Sequence, residues 1–441
     1  MNKDEKVLKA IYDHFVKSSD YNGIALTNLS KKTKIDYLEI LEILKNLVNQ
    51  DKVSIQSGVN PFIIGIAHYQ VESQLKILED AKNNKSNTLS EFKSVKISFD
   101  SHLACAYPSQ KTLQNKRRLT KFVFSPYDKD LALGEPQLKP IFFEMEVLER
   151  YAKDPRYSFE FEDYSGNIYH NYDENDKPLL QETDQVFLKT FGLGFDEFNN
   201  RIIVAYLRYL GDLTPEHQMF WKNKEIKNRK CKMLEEYFQN TIEGNWTNTY
   251  SLFSGFIGEQ KLVNDYSKAI FNIELFRKTF EDDKKPKDFT VFILPTLENF
   301  NNFIHLLDKM TSENLNKKFF EGKIELYEDV KIDKQTFERK HKNTLRLLEE
   351  WLRKSYNFDD DEERVNRLLF SPLKSIRKER QNPAHKISNN TYDKKYIEMQ
   401  RDFLSKAYNA MKNLRYILQS HPKSKVVEIP EWLDNGKFIS Y

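Results

Sequence analysis

Hydrophobic residues recur at helical spacing through the first fifty residues and predict three helices. The first helix is marked by Val7, Leu8, Ile11 and Phe15. Thr27 is expected to cap a short second helix. Asp36, with Glu39 three residues later, forms a variant capping box that predicts the start of the third helix. The apolar positions of this third helix are Ile40, Leu41, Leu44, Leu47 and Val48.

Beyond the third helix the pattern changes from helical spacing to strand residues. Val53 and Ile55, a turn at Gly58, and the apolar run 62–64 together predict a small β-hairpin. Three helices followed by a hairpin resemble a winged helix-turn-helix domain, which would cover residues 1–70.

That resemblance implies a third helix that enters the major groove of DNA. The predicted helix carries Asp36, Glu39 and Glu42 against Lys45 as its one base, so phosphate repulsion opposes tight binding through it. Three other residues are the candidates for contacts with a DNA backbone: Lys31, Lys32 and Lys34. Two interpretations stay open, a DNA-binding domain and a protein-interaction module.

The middle of the chain is less uniform. Residues 71–95 are predicted to form a helix and a polar linker, and residues 96–290 a mixed α/β to helical region of unassigned role. Tyr157, Phe159 and Phe161 alternate with polar residues and predict one strand of a hairpin. After this hairpin, aromatic residues at spacings near three, four and seven predict helices: Phe187, Phe191, Phe195, Phe198, Tyr206 and Tyr209.

Two histidines of the middle region have polar surroundings in the sequence. His170 is followed by acids that suit a metal ion, but such residues on a solvated loop usually bind none, and no metal site is predicted. These acids are Asp173, Glu174 and Asp176. His217 follows Pro215 in the first turn of a helix and is expected to face solvent or to act as a cap. The surrounding run, 209–221, resembles a stretch of uncharacterised bacterial proteins and implies no activity.

The last third of the chain predicts a helical bundle with a C-terminal tail, residues 291–441. Thr296 is expected to cap one helix, and Ser371 followed by Pro372 is expected to begin another. The apolar stripes of three helices are Phe300, Phe303, Ile304 and Leu307; Leu345, Leu348, Trp351 and Leu352; and Ile397, Leu404, Ala407, Met411, Leu414 and Leu418.

Arg380 continues an apolar stripe of this bundle. Leu373, Ile376 and Arg380 lie at positions i, i+3 and i+7, so the guanidinium needs an anion or a functional role. Pro383 must kink or end the helix near Arg380. On an unbroken helix, Arg380 and His385 would be separated by about 140°. The break therefore predicts that the two side chains converge.

Arg380 to His385 forms an R-x4-H motif at the end of a helix, and this resembles the HEPN superfamily (higher eukaryotes and prokaryotes nucleotide-binding). The resemblance covers residues 296–420, and Gln381 fits the family's preference for a polar residue after the arginine. It implies metal-independent RNA cleavage at a site where two protomers meet. It also implies His385 as general acid or base, Arg380 as the cation that stabilises phosphate charge, and Gln381 or Asn382 as orienting residues.

The implied chemistry requires no metal and no cofactor, and it leaves a 2′,3′-cyclic phosphate because the RNA 2′-hydroxyl attacks the neighbouring phosphate. The resemblance further implies a homodimer and a role as a toxin or antiphage effector. We also expect a regulatory protein partner. The alternatives are a non-catalytic DNA-binding regulator dimerised by the bundle, and an interaction adaptor. In the structural alternative for the motif, Arg380 pairs with Glu349 or Glu350 and His385 binds helix-end carbonyls.

Composition limits these functions only partly. The chain has 69 Lys and Arg against 66 Asp and Glu, so any attraction to nucleic acid must come from local patches. Cys105 and Cys231 form no disulfide or metal pattern, and Gly192 and Gly194 lack the rest of a phosphate loop. With no signal peptide and no membrane-length apolar run, we expect a cytoplasmic, multidomain protein that is mainly α with α+β parts.

Overall fold

The protein is described by a computed structural model over residues 2–18, 20–83, 88–92, 95–99, 104–114, 122–247, 249–281, 284–331, 337–358, 362–381, 389–436 and 438–439. It is a mixed α/β protein with about 52% helix and 17% strand, which confirms the expectation of a mainly helical chain with β parts. The strands form small antiparallel sheets, and the C-terminal part is largely helical. None of the helices in these ranges is long and apolar enough to cross a membrane.

The N-terminal part packs four helices against a three-stranded antiparallel sheet. Its helices are α1 (Lys3–Lys17), α2 (Leu26–Thr33), α3 (Tyr37–Asn49) and α4 (Val71–Lys82). Its strands are β1 (Ile24–Ala25), β2 (Val53–Ser57) and β5 (Ala104–Pro108), with β5 between the other two. All five apolar positions predicted for α3 are buried. On α1, the predicted apolar residues Val7, Ile11 and Phe15 are buried.

The predicted hairpin is wrong in its second strand. Residues 62–64 lie in turns, and β2 pairs instead with β5, which lies about fifty residues further along the chain. Phe62 is nevertheless buried, with its ring centroid 5.0 Å from that of Phe15. Phe62 therefore fills a core, whereas Ile64 is exposed, and none of the three residues joins a strand ladder. Between β2 and β5, where a linker was predicted, the chain forms a two-stranded sheet of β3 (Thr88–Phe92) and β4 (Val95–Phe99).

The two helix caps predicted in this part have different outcomes. Asp36 accepts hydrogen bonds from the backbone N–H groups of Leu38 and Glu39, so its role as the N-cap of α3 is confirmed. Thr27 lies inside α2, whose N-cap residue Ala25 makes no side-chain hydrogen bond. The prediction for Thr27 is therefore wrong, because β1 runs directly into the helix and fixes its start.

The middle region is built on a six-stranded antiparallel sheet. The strands are β6 (Pro140–Glu144), β7 (Tyr157–Glu162), β8 (Ser165–His170), β9 (Phe187–Asp196), β10 (Arg201–Tyr206) and β11 (Cys231–Met233). The order is β6-β10-β9-β8-β7, with β11 also on β9. Short helices surround the sheet: α6 (Pro126–Ala132), α7 (Glu149–Lys153), α8 (Leu207–Gly211), α9 (Pro215–Lys222) and α10 (Glu235–Phe238). The preceding short helix, α5 (Gln110–Leu113), lies against β5 of the N-terminal sheet. The hairpin predicted from Tyr157, Phe159 and Phe161 is confirmed as β7 and β8, and all three rings are buried.

The prediction of helices from the aromatic residues after the hairpin is wrong from Phe187 to Tyr206, because this stretch forms β9 and β10, and holds only for Tyr209, which lies in α8. Phe191 is buried, but Phe187 and Phe198 are exposed, so the rings do not share one helical face. Glycine disfavours a helix interior, and a Cβ at Gly192 would collide with the ring of Tyr237. The close approach of that ring to the β9 backbone explains why a glycine stands at this position.

The C-terminal part is a bundle of helices with one small hairpin. Its helices are α11 (Leu252–Phe271), α12 (Leu297–Met310), α13 (Lys317–Phe320), α14 (Thr344–Ser355), α15 (Glu362–Val365), α16 (Ser371–Gln381), α17 (Lys395–Gln419) and α18 (Glu431–Asn435). The hairpin joins β12 (Tyr327–Lys331) to β13 (Phe337–His341). Nearly all of the predicted apolar stripe residues of α12, α14 and α17 are buried, and Ile397 is half-buried.

One hydrophobic cluster runs from Tyr127 in the middle region to Leu433 near the C-terminus. Within it, α11 and α17 lie against each other, and a buried ion pair joins Nε of Arg415 to a carboxylate oxygen of Glu259 at 2.6 Å. This core crosses residue 290, so separate cores do not mark the predicted boundary there. The domain boundaries stay predictions.

The predicted helix start at Ser371 is wrong. α15 continues through a π-helical turn, Asn366–Phe370, directly into α16, and the N–H of Ser371 bonds to the carbonyl of Asn366. A proline cannot donate a backbone hydrogen bond, and a π-turn already departs from the regular ladder at this point. Pro372 is thereby accommodated inside a continuous helical segment.

Candidate functional site

The end of α16 is fixed by packing on two neighbouring helices. α16 contacts α12 and α17, and its inward residues Leu373 and Ile376 are buried as predicted. Thr296 caps α12, because its hydroxyl accepts a hydrogen bond from the N–H of Asn299 at 3.2 Å, which confirms that prediction. Arg380 lies one turn beyond Ile376 and is half-buried.

Two carboxylates hold the guanidinium of Arg380, one from the last turn of α12 and one just beyond the end of that helix. Its Nη1 donates to Oδ2 of Asp308 at 2.6 Å and also to Oε1 of Glu313. Asp308 is fully buried and accepts a second hydrogen bond from the hydroxyl of Ser312. The hydrogen bonds to Asp308 and Glu313 raise the pKa of Arg380 above its ordinary value, so the side chain is permanently cationic.

These contacts leave one edge of the guanidinium unused. Both hydrogen bonds go through Nη1, so Nε and Nη2 of Arg380 have no acceptor among the residues that the structure describes. Nε and Nη2 form the edge with which an arginine binds two oxygens of one phosphate or carboxylate. The side chain is 30% exposed, so part of Arg380 is accessible to solvent.

The structural alternative for the motif predicted a different partner for Arg380, and this part of it is wrong. Glu349 and Glu350 on α14 do not contact Arg380. They are bound by other basic residues: Lys342, Arg346, Arg353 and Lys374. Arg380 reaches the opposite neighbour of α16, because its stripe faces α12.

Asp308 and Glu313 are site residues that the sequence analysis missed. Asp308 directly follows Leu307 on the buried face of α12, and an acid on such a face is a signal for a buried cation. The same reasoning singled out Arg380. The sequence contains nothing that connects these two positions, which lie 72 residues apart in the chain.

The remaining motif residues are only partly described. Gln381 is exposed at the end of α16. Asn382, Pro383 and His385 lie in the segment 382–388, outside the described residues. The convergence of His385 on Arg380 therefore stays a prediction.

The basic residues expected to contact a DNA backbone are exposed: Lys31, Lys32 and Lys34. The proposed groove-reading helix, by contrast, is partly covered by its neighbour. Lys45 on α3 binds Glu79 on α4 at 2.7 Å, and Lys82 on α4 binds Glu42 on α3 at 3.3 Å. The one base of α3 thus already has an acidic partner.

Backbone hydrogen bonds organise the acidic loop after His170. Asp173 accepts bonds from the N–H groups of Asn175 and Lys177 at 2.8 and 2.9 Å, and Nδ1 of His170 lies 3.0 Å from the carbonyl of Val186. Within the ranges given above, no group of three His, Cys, Asp or Glu side chains is placed to hold a metal ion.

His217 is fully buried, so the expectation of a solvent-facing or capping role is wrong. The hydroxyl of Tyr151 forms a hydrogen bond with Nδ1 of His217 at 2.6 Å and accepts another from Nε1 of Trp221 at 2.9 Å. Burial lowers the pKa of His217 to about 4, so the imidazole is neutral at pH 7. A sequence signal was present, since His217 and Trp221 lie four residues apart on one face of α9.

Comparison with known proteins adds no assignment to this geometry. No protein-family model matches the chain, and no match was found among curated proteins or among solved structures. The likenesses to HEPN and winged-helix domains therefore rest on the residues and contacts described above.

Proposed function

We propose that the protein is a metal-independent endoribonuclease of HEPN type, with its site at the end of α16. One observation carries the proposal. The motif arginine, Arg380, is anchored by the buried carboxylate of Asp308, while its Nε–Nη2 edge has no acceptor among the described residues. An arginine held in this way is pre-oriented for a phosphate, and pre-orientation is what makes charge stabilisation effective in catalysis.

In this mechanism the RNA 2′-hydroxyl attacks the adjacent phosphorus, and the bond to the 5′-oxygen of the next nucleotide breaks. His385 takes the proton from the 2′-hydroxyl or gives one to the leaving oxygen, since an imidazole suits both roles near neutral pH. Arg380 stabilises the added negative charge on the phosphate, and Gln381 or Asn382 orients the backbone. The products are a 2′,3′-cyclic phosphate and a 5′-hydroxyl.

The finer architecture belongs to the same proposal. Residues 296–420 would form the HEPN-like bundle, and a homodimer would bring two motifs together in one composite site. The N-terminal part, with β5 paired between β1 and β2, would be a winged helix that restrains or targets the nuclease. A toxin or antiphage role follows from the superfamily likeness alone.

The DNA-binding alternative has less support. A groove-reading α3 needs free donors for base edges, whereas its Lys45 is paired with Glu42 and Glu79. Salt-sensitive duplex binding that disappears when Lys31, Lys32 and Lys34 are replaced, together with inert RNA, would favour it over the nuclease.

The proposal is tested with end-labelled single-stranded RNA and tRNA incubated with the full chain in excess EDTA. We expect internal cleavage, cyclic phosphate ends, and no cleavage of a DNA of the same sequence. Replacing the nucleotide 5′ to a mapped cut by its 2′-deoxy form is expected to abolish that cut alone. Cleavage that continues at the deoxy position, or that EDTA abolishes, would rule out this chemistry.

A further inference from the structure

A basic groove lies between α14 and α16, on a different side of α16 from the carboxylates that hold Arg380. We use this name for the surface formed by Arg346, Arg353, Lys374, Arg377, Lys378 and Gln381. The groove has a volume of about 520 Å³. Leu345 is its one hydrophobic lining residue, and five of the ten lining residues are Lys or Arg.

The groove side of α16 is a continuous stripe that ends in the proposed catalytic motif. Lys374, Arg377, Lys378 and Gln381 lie at i, i+3, i+4 and i+7, which places them on one face over roughly 10 Å of helix. Gln381 directly follows Arg380 in the chain. A strand lying along this stripe would therefore reach the motif without leaving the helix surface.

The cations of the groove are only partly neutralised by its acids. Glu349 accepts hydrogen bonds from Arg353 and Lys374, and Glu350 accepts one from Arg346. Burial on its own would raise the pKa of Glu349, but the bonds from Lys374 and Arg353 outweigh this and lower it, so the carboxylate is charged. The two carboxylates thus pair with Arg346, Arg353 and Lys374.

Arg377 and Lys378 are left without an acidic partner in the described part of the chain. Nη1 of Arg377 is buried and makes no hydrogen bond there. A buried N–H group without an acceptor costs free energy, and a charged donor costs more. An anion entering the groove would supply the missing acceptor, while the exposed Lys378 would add a second contact.

We propose that the basic groove binds the phosphate backbone of the single-stranded RNA that the Arg380 site cleaves, through Arg377 and Lys378. This inference rests on the proposed function for the identity of the strand. Guanidinium and ammonium groups spaced along one helix face suit successive phosphates. The continuity of the stripe with Arg380 favours an RNA strand over an acidic protein segment as the occupant.

The test is binding of a fluorescent single-stranded RNA, measured by anisotropy in EDTA at several salt concentrations, with His385→Ala as the uncleaving parent chain. The parent is compared with the same chain carrying Arg377→Gln and Lys378→Gln. Circular dichroism should show no fall in melting temperature, because Lys378 is exposed and the buried Nη1 of Arg377 has no hydrogen bond among the described residues to lose. Lys6→Gln with Lys9→Gln, two exposed lysines of α1, is the matched control.

We expect the groove variant to bind RNA at least ~10-fold more weakly and to lose about 1.4 from the slope of log K against log salt, roughly 0.7 for each lost phosphate contact. The α1 control should match the parent. An unchanged affinity and slope, or a parent that binds no RNA, would overturn the groove. Loss of binding on replacing Lys31, Lys32 and Lys34 instead would move the RNA to the N-terminal part and would also overturn it.

The two proposals fail in different ways. If the wild-type chain binds RNA through the groove but never cuts it, the nuclease proposal fails and the groove stands as a binding site. If RNA is cut with cyclic phosphate ends and the groove variant binds and cuts normally, the groove fails and the nuclease stands.

Discussion

At the scale of single residues, the site depends on how unequally two carboxylates hold one arginine. The side chain of Asp308 is fully buried, whereas that of Glu313 is 35% exposed. An ion pair is weakened by water at an exposed partner and is strengthened where water is excluded. Asp308 is therefore the anchor of Arg380, and Glu313 can exchange with solvent or with a phosphate.

This difference predicts unequal effects of two matched amide substitutions. Asp308→Asn should destabilise the fold by roughly 1–3 kcal/mol, because it removes the buried charge that Arg380 needs, and Glu313→Gln by less than ~1 kcal/mol. Denaturant unfolding at pH 7 measures both. Equal losses, or a larger loss for Glu313→Gln, would mean that Asp308 is not the anchor.

A second residue-scale prediction concerns pH. The pKa of His217 is lowered to about 4 by burial, below the value of 6.5 expected in an unfolded chain. The unfolded chain therefore binds the proton first as pH falls. The stabilising contribution is complete above pH 6.5 and is lost progressively as pH falls from 6.5 to 4, by about 3.4 kcal/mol in all.

His217→Leu should flatten the pH dependence of unfolding free energy between pH 7.5 and 4.5, even if it lowers stability overall. The pKa values of His14 and His68 are also lowered by burial and add to the same slope, so the difference between variant and parent is the quantity to compare. If His217→Leu lowered the unfolding free energy equally at every pH, His217 would not be the source of the pH dependence.

The sequence predicted Arg380 and its stripe but not its partners. The position of Arg380, seven residues after Leu373 on the apolar stripe, can be recognised from the sequence of one helix alone. The choice between Asp308 and Glu349 depends on which neighbour α16 turns its face toward, and this is decided by packing between helices far apart in the chain. The prediction for His217 failed for a different reason. The first turn of its helix was expected to be exposed, whereas packing buries the imidazole.

At the scale of elements, helices and strands differed in how well pattern alone predicted them. α12, α14 and α17 bury their predicted stripes, since helical hydrogen bonds are local and the stripe records the buried face. β5, β9 and β10 were missed, because a strand is defined by partners elsewhere in the chain. The aromatic spacing in β9 matched a helix by coincidence.

The tight contact at β9 gives an element-scale prediction. Gly192→Ala should destabilise the protein by roughly 1–3 kcal/mol, because the new methyl group would overlap the ring of Tyr237. Pairing Gly192→Ala with Tyr237→Ala should cost less than the sum of the two single changes. Additive losses in this double-mutant cycle would show that the ring does not set the requirement for glycine.

At the scale of the whole molecule, the two largest hydrophobic cores divide the chain differently from the predicted boundaries. One core lies within Val7 to Ala106, and the larger one extends from Tyr127 to Leu433. The middle region and the bundle share the larger core, so the sheet is packed into the same hydrophobic cluster as α16, which carries Arg380.

Two cores predict two unfolding transitions, with the middle region and the bundle in one of them. Leu44→Ala on α3 and Leu414→Ala on α17 remove side chains that are fully buried in different cores, each at a cost of roughly 2–5 kcal/mol. Each should shift one transition in a denaturant titration followed by circular dichroism. If Leu414→Ala splits the larger transition, the bundle unfolds separately from the sheet.

The central claim is that Arg380 and His385 form one RNA-cleaving site, and a comparison of single variants tests it most directly. Cleavage of end-labelled RNA in excess EDTA is measured for the wild type, Arg380→Ala and His385→Ala, with Arg367→Ala and His341→Ala as exposed matched controls. The account predicts that the wild type and both controls leave cyclic phosphate ends, while the two site variants lose at least ~100-fold in rate. Equal rates in all five proteins, or no cleavage by any of them, would contradict it.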